Sequence, residues 1–90
     1  MTTDDEILVR ALDVSTRRFD DGGLLLETLI GRYTLDRDAR DVWFLIDGKR
    51  ALSEVAAAVA ARRGLPVEVV REPVFQLGAR LHELRLVERR

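Results

Sequence analysis

The residue best suited to acid–base or metal chemistry is His82, the single histidine of the chain. It stands without a cysteine or a second histidine, so no zinc-type ligand set can be assembled around it. Ser15 and Ser53 fall in segments expected to lie far from it, which removes a nucleophile–base pair. Carboxylates cluster at Asp4-Asp5-Glu6, Asp20-Asp21 and Asp36/Asp38/Asp41. Each cluster has a structural reading: a solvated terminus, a turn, and a helix start favoured by the macrodipole. The pair Gly22-Gly23 lacks the strand-to-helix setting of a phosphate loop. No catalytic residue, no metal site and no cofactor is expected, so the chain reads as a non-enzyme whose chemistry is binding.

The elements that position binding residues must come from one small domain, because a chain of 90 residues buries only roughly 60–65% of its unfolded surface and supports one core. A composition 47% hydrophobic and 34% charged belongs to a folded chain rather than a disordered one. The formal charge of −1 disfavours a polyanionic partner, whose affinity comes from clustered cations, so no nucleic acid is expected. Arginine supplies 14 of the 15 basic residues beside the single Lys49. Arginine suits carboxylate recognition better than lysine does. Met1 to Glu6 is acidic and polar, unlike a secretory signal, and no apolar run approaches the roughly 18 residues of a membrane span. A cytoplasmic location without membrane association is expected.

The apolar runs Leu24-Leu25-Leu26 and Leu29-Ile30 are bounded by Asp20-Asp21-Gly22-Gly23 and by Gly31, residues that supply the positive φ of hairpin turns. A three-stranded antiparallel meander over residues 14–19, 24–29 and 32–35 follows. Ala39, Val42, Trp43 and Ile46 then recur at helical spacing, with Asp36 or Asp38 as cap and an end near Asp47, where Gly48 supplies a left-handed terminator. Leu52, Val55, Ala56 and Val59 mark a second helix, begun by Ser53 or the backbone before it and closed by Gly64. The third stripe is Val70, Val74, Leu77, Leu81 and Leu84, which Pro73 forces either to begin near residues 69–72 or to kink. Leu86 and Val87 fold back as an apolar closure. The fold class is therefore α+β, a winged helix-turn-helix with its three-stranded meander placed first and three helices after it. Residues 14–90 form the domain, and residues 1–13 are expected to be a flexible N-terminal segment.

The segment Leu24-Leu25-Leu26-Glu27-Thr28-Leu29-Ile30-Gly31-Arg32-Tyr33-Thr34-Leu35-Asp36, with Val42-Trp43, Ile46-Asp47-Gly48, Leu52-Ser53-Glu54-Val55 and Val74…Leu77…Leu81…Leu86-Val87, resembles the PqqD-like family. These are recognition elements for ribosomally made, post-translationally modified peptides (RiPPs), and the apolar-Gly-Arg-Tyr strand pair is most like the stand-alone leader-binding proteins of lasso-peptide clusters. The chain departs from the family at Arg85, where a glycine is usual, at Pro73, where an acidic residue is common, and at Ala51, where a threonine cap is common. The resemblance implies that the leader of a precursor peptide lies as an added strand beside the third strand and under the third helix. It also implies a separately encoded, transglutaminase-like leader peptidase, or another maturation enzyme, as partner.

Physical chemistry supports such a site independently, since the last strand of a meander is an edge whose free N–H and C=O groups can pair with an incoming chain. Arg32, Tyr33, Thr34 and Leu35 supply that edge, with Tyr33 and Leu35 on one face and Arg32 and Thr34 on the other. On the third helix Arg71, Phe75, Gly78 and His82 form a stripe beside the core residue Val74. Phe75 is either the wall of an apolar pocket or a core aromatic; Gly78 either admits a peptide side chain or eases helix packing. Arg71 can meet a leader carboxylate, His82 lines the groove, and Trp43 belongs to the core. The alternatives are a winged-helix DNA-binding protein, weakened by the mixed charges Arg71, Glu72, Arg80 and Glu83 on the third helix, and a dimerisation domain. The chain is expected to be a monomer or weak dimer.

Overall fold

The computed structural model describes residues 5–90. Two antiparallel three-stranded sheets and three helices surround one core. The first sheet is the meander β2-β3-β4, and the second has the order β5-β1-β6. In chain order the elements are β1 (Ile7–Arg10), β2 (Ser15–Arg18), β3 (Leu24–Glu27), β4 (Arg32–Leu35), α1 (Arg37–Leu45), β5 (Asp47–Ala51), α2 (Leu52–Arg63), α3 (Val67–Glu83) and β6 (Val87–Arg89). The α+β class, with antiparallel strands followed by three helices in the winged helix-turn-helix layout, is as expected. No helix of the described residues is long and apolar enough to cross a membrane.

The meander follows from turn chemistry. Gly22 takes φ 93 and the Gly23 N–H donates to Asp21 Oδ1 at 2.8 Å, which closes the β2–β3 turn. At the next turn Thr28 Oγ1 accepts from Ile30 N (3.2 Å) and Gly31 N (3.1 Å). Leu29, expected as the last residue of a strand, instead sits with Ile30 on this tip, 99% and 90% exposed. Leu24 and Leu26 point inward and are fully buried; their cross-strand partners Leu35 and Tyr33 share that face and pack partly buried against the core.

α1 begins where Asp36 Oδ1 accepts the Ala39 N–H at 2.8 Å, which settles the cap in favour of Asp36 over Asp38. It ends at Leu45, two residues before the expected end, because Gly48 (φ 79) belongs to β5. There it sits in an irregularity of the β1–β5 pairing, where Ile7 opposes Ala51 but Val9 opposes Asp47. A left-handed glycine suits such a bulge. Asp47 Oδ1 accepts from the N–H groups of Arg50 and Lys49, which hold its carboxyl below the ordinary value.

α2 lacks the threonine cap common in the family. Its first turn is served in part from a distance: the Ser53 N–H donates to Asp5 Oδ1 at 3.0 Å, while locally Glu54 Oε1 accepts from Ala51 N at 2.8 Å. The bonds from Ser53 hold the Asp5 carboxyl below its ordinary value. Gly64 ends the helix with φ 64.

α3 starts at Val67, earlier than expected, and continues through Pro73, which deprives the Val69 carbonyl of its usual i+4 donor. Its end is a Schellman turn, with Leu86 N bonded to Leu81 O and Arg85 N to His82 O, both at 3.0 Å. The residue that must turn left-handed is Arg85 (φ 60), at the position where the family usually has glycine.

Residues 7–10, within the segment expected to be flexible, instead form β1, the central strand of the second sheet. Leu8 is buried against the core. Leu86 and Val87 are buried as expected, and Val87 opens β6, which pairs with β1. Residues 1–4 lie outside the described residues.

Candidate functional site

β4 is an outer strand of the meander, paired with β3 on one side only. The direction of its backbone groups follows from the turn. Thr28 N donates to Gly31 O at 2.9 Å, so Thr28–Gly31 is a hydrogen-bonded pair. In an antiparallel ladder such pairs alternate. Leu26–Tyr33 and Leu24–Leu35 are therefore hydrogen-bonded pairs, whereas Glu27–Arg32 and Leu25–Thr34 are not. The N–H and C=O groups of Arg32 and Thr34 consequently point away from β3, toward the open edge. The Arg32 side chain lies on the outer face and pairs with Glu27 at 3.1 Å.

Beyond the end of β4 an apolar groove of about 370 Å³ runs between the start of α1, the end of α2 and the first half of α3. Its walls include Ala39, Val42, Leu65, Val69, Pro73 and Leu77. Buried Val70 and Val74 also line it. Asp36, Asp38 and Arg63 are its charged lining residues. Arg63 bonds Asp41 at 2.7 Å and pairs with Asp38, tying α2 to α1 at the groove. Burial raises the Asp41 carboxyl, but its bonds to Arg40 and Arg63 outweigh this and hold it below the ordinary range. β4 packs on α1 and not closely on α3.

The expected site residues divide into two places. Arg32, Tyr33, Thr34 and Leu35 make the open edge, and Val74 is shared between the core and the apolar groove. Phe75, Gly78 and His82 lie on the other side of α3, in a separate depression with Glu6, Leu8, Leu52 and Arg89. A methyl group at Gly78 would meet the Leu52 methyls at 3.1 and 3.2 Å, so this glycine admits a neighbouring core side chain. Phe75 packs partly buried against the core, and Arg71 stacks over its ring at 5.3 Å. Leu65, Val69, Pro73 and Leu77 were not singled out as lining residues by sequence. Pro73 reads from sequence as a complication of the helix, although the apolar residues Val69 and Leu77, one turn to either side of it, carry the signal.

The open-edged wing on three helices defines a winged helix-turn-helix domain with an unpaired strand beside an apolar groove. The chain belongs to the PqqD family: the family described as coenzyme PQQ synthesis protein D matches residues 12–87. Two solved structures share the fold. One is TbiB1 in complex with the TbiA(beta) leader peptide, with TM-score 0.76, 20% identity and coverage of 89% of this chain and 94% of that one. The other is the solution NMR structure of the PqqD truncation of Methylobacterium extorquens PqqCD, described as a functional and stand-alone RiPP recognition element. Its TM-score is 0.77 at 20% identity, covering 91% of this chain and 88% of that one. No curated protein is matched by the sequence.

Proposed function

We propose that this protein binds the leader segment of a ribosomally synthesised precursor peptide, as an added strand on β4, and presents it to a separately encoded leader peptidase or other maturation enzyme. The observation that carries this is the open edge of β4, with Arg32 and Thr34 aiming backbone donors and acceptors outward, next to an apolar groove. Backbone pairing tolerates many sequences, and the groove supplies selectivity for apolar leader side chains. Membership of the PqqD family and the fold shared with a leader-bound protein support the assignment. A lasso-peptide pathway, a cytoplasmic setting and a non-catalytic role accord with it. The protein needs no cofactor for such a task.

The two sides of α3 make different contributions in this scheme. The leader follows the side of Val69, Pro73 and Leu77, while Arg71, Phe75 and His82 face away from the groove. Titration of the full chain with the labelled leader of the neighbouring precursor gene, followed by polarisation, tests it. Micromolar or tighter binding with modest salt dependence is expected; absence of binding, or a steep salt dependence shared with duplex DNA, refutes it. Val69 is 59% exposed, so Val69→Asp should leave folding intact and weaken the leader about tenfold, or ~1.4 kcal/mol. Phe75→Ala should lower Tm and leave leader affinity within about threefold.

A further inference from the structure

On the far side of the meander from β4, a second cleft of about 400 Å³ opens between β1, β2 and the end of α1. Arg10, Val14, Thr16, Trp43, Phe44 and Asp47 are among its walls. Two guanidinium groups converge on the ring of the wall residue Phe44: Arg10, from the cleft itself, lies 5.9 Å from its centre, and Arg18, from beside the cleft, 5.3 Å. Neither forms an ion pair among the described residues. Trp43 is 1% exposed, and its indole Nε1–H is the one buried side-chain polar atom, among the described residues, that has no hydrogen-bond partner. A buried donor left unpaired is unfavourable, and an acceptor that reached it would relieve that cost. The acid in the wall, Asp47, is already engaged by Arg50 at 2.9 Å and by two backbone N–H groups, so its charge is largely compensated.

We propose that this cleft is a second binding site, which takes an acidic side chain on an apolar stem from a peptide segment of a partner protein. The carboxylate sits between the Arg10 and Arg18 guanidiniums, charge-assisted donors suited to it. The stem lies against Phe44 and Val14. The indole N–H is covered, so a ligand oxygen reaches it only after a wall side chain shifts aside. Because β2 and β4 are opposite edges of the same sheet, a partner can occupy this cleft while β4 pairs with a peptide. Occupancy of the cleft is independent of what β4 binds.

Trp43 is the only tryptophan, so the full chain gives a single indole N–H resonance in a nitrogen–proton correlation spectrum. The probes are a capped hexapeptide alternating leucine and glutamate, its glutamine counterpart, and acetate alone. The glutamate peptide should move the indole resonance saturably with Kd of about 1 mM or tighter, without moving the Arg32 and Thr34 amides. Arg10→Gln with Arg18→Gln should weaken it at least about tenfold, and Arg18→Gln alone, at an exposed position, serves if the pair unfolds. No movement of the indole resonance, an equal response to the glutamine peptide, or an unchanged affinity in the arginine variants overturns the site. Acetate binding as tightly overturns the peptide as its occupant.

Discussion

Replacing Thr34 by proline tests strand addition at the level of a single N–H. By the pairing of the meander, the Thr34 amide points away from β3, and an outward-facing position on an edge strand is where a sheet tolerates proline. Tyr33, the preceding residue, is already extended, as a residue before proline must be. The free protein should therefore lose only about 1 kcal/mol. An incoming strand would lose more. One backbone hydrogen bond is worth about 1 kcal/mol net, and the leader carbonyl left unpaired adds about another 1 kcal/mol. Together these approach 2 kcal/mol, or about 30-fold in Kd, before any clash with the ring. Polarisation of a labelled leader reads the affinity, and circular dichroism reads the fold. Tyr33→Pro is the control: it removes a donor bonded to Leu26 and should destabilise the meander outright. In the unsubstituted protein, hydrogen exchange with and without leader should protect Arg32 and Thr34 and leave Tyr33 and Leu35 unchanged. A folded Thr34→Pro protein that binds leader within threefold of the original, with no new protection at Arg32, would refute strand addition at β4.

Three further outcomes concern how the frame is held. Asp5→Ala should lower the midpoint of urea unfolding, because it removes the cap on the Ser53 N–H, and Ala51→Thr in that background should recover most of the loss by restoring a local cap. Arg85→Gly should raise Tm by about 5 °C, since it relieves roughly 1 kcal/mol of left-handed strain at φ 60. Asp41→Asn should lower stability at pH 7 by about 1 kcal/mol through loss of the Arg63 and Arg40 bonds. Because the folded carboxyl lies below its ordinary 3.8, its contribution is present above that value and fades as pH falls through the folded one. The gap between the two proteins should therefore close below about pH 4, as followed by urea titrations across pH.

The meander and the three helices were legible because each is written locally. Asp21-Gly22-Gly23 turns the chain, Asp36 caps α1, Gly64 stops α2, and the stripes of Val42/Trp43 and Val70/Val74/Leu81 match the buried residues. The open edge at Arg32 to Leu35 was legible for the same reason. The second sheet was not. Asp47–Ala51 has no strand propensity of its own and becomes β5 only through pairing with β1. Ile7-Leu8-Val9, an aliphatic run, carried the signal for β1, but the acidic residues ahead of it favoured reading the whole segment as flexible. The helix partners of the groove were beyond periodicity as well. Two stripes flank the core face of α3, and the chain pattern does not say which flank lies beside β4. Only the positions of Asp36, Leu65 and Val59 around Val69 and Pro73 distinguish them.

The pairing of β1 with β6 brings the two ends of the described chain together. Leu8 lies opposite Arg89, and the Arg90 N–H donates to Ile7 O at 2.9 Å. A host protein could therefore receive residues 7–90 within a surface loop, with entry and exit one strand spacing apart, about 5 Å. The insertion would leave the host's own ends undisturbed, as adjacent termini generally permit. Both junctions would fall on the second sheet, so the meander's outer strand would stay unpaired and open inside a larger protein.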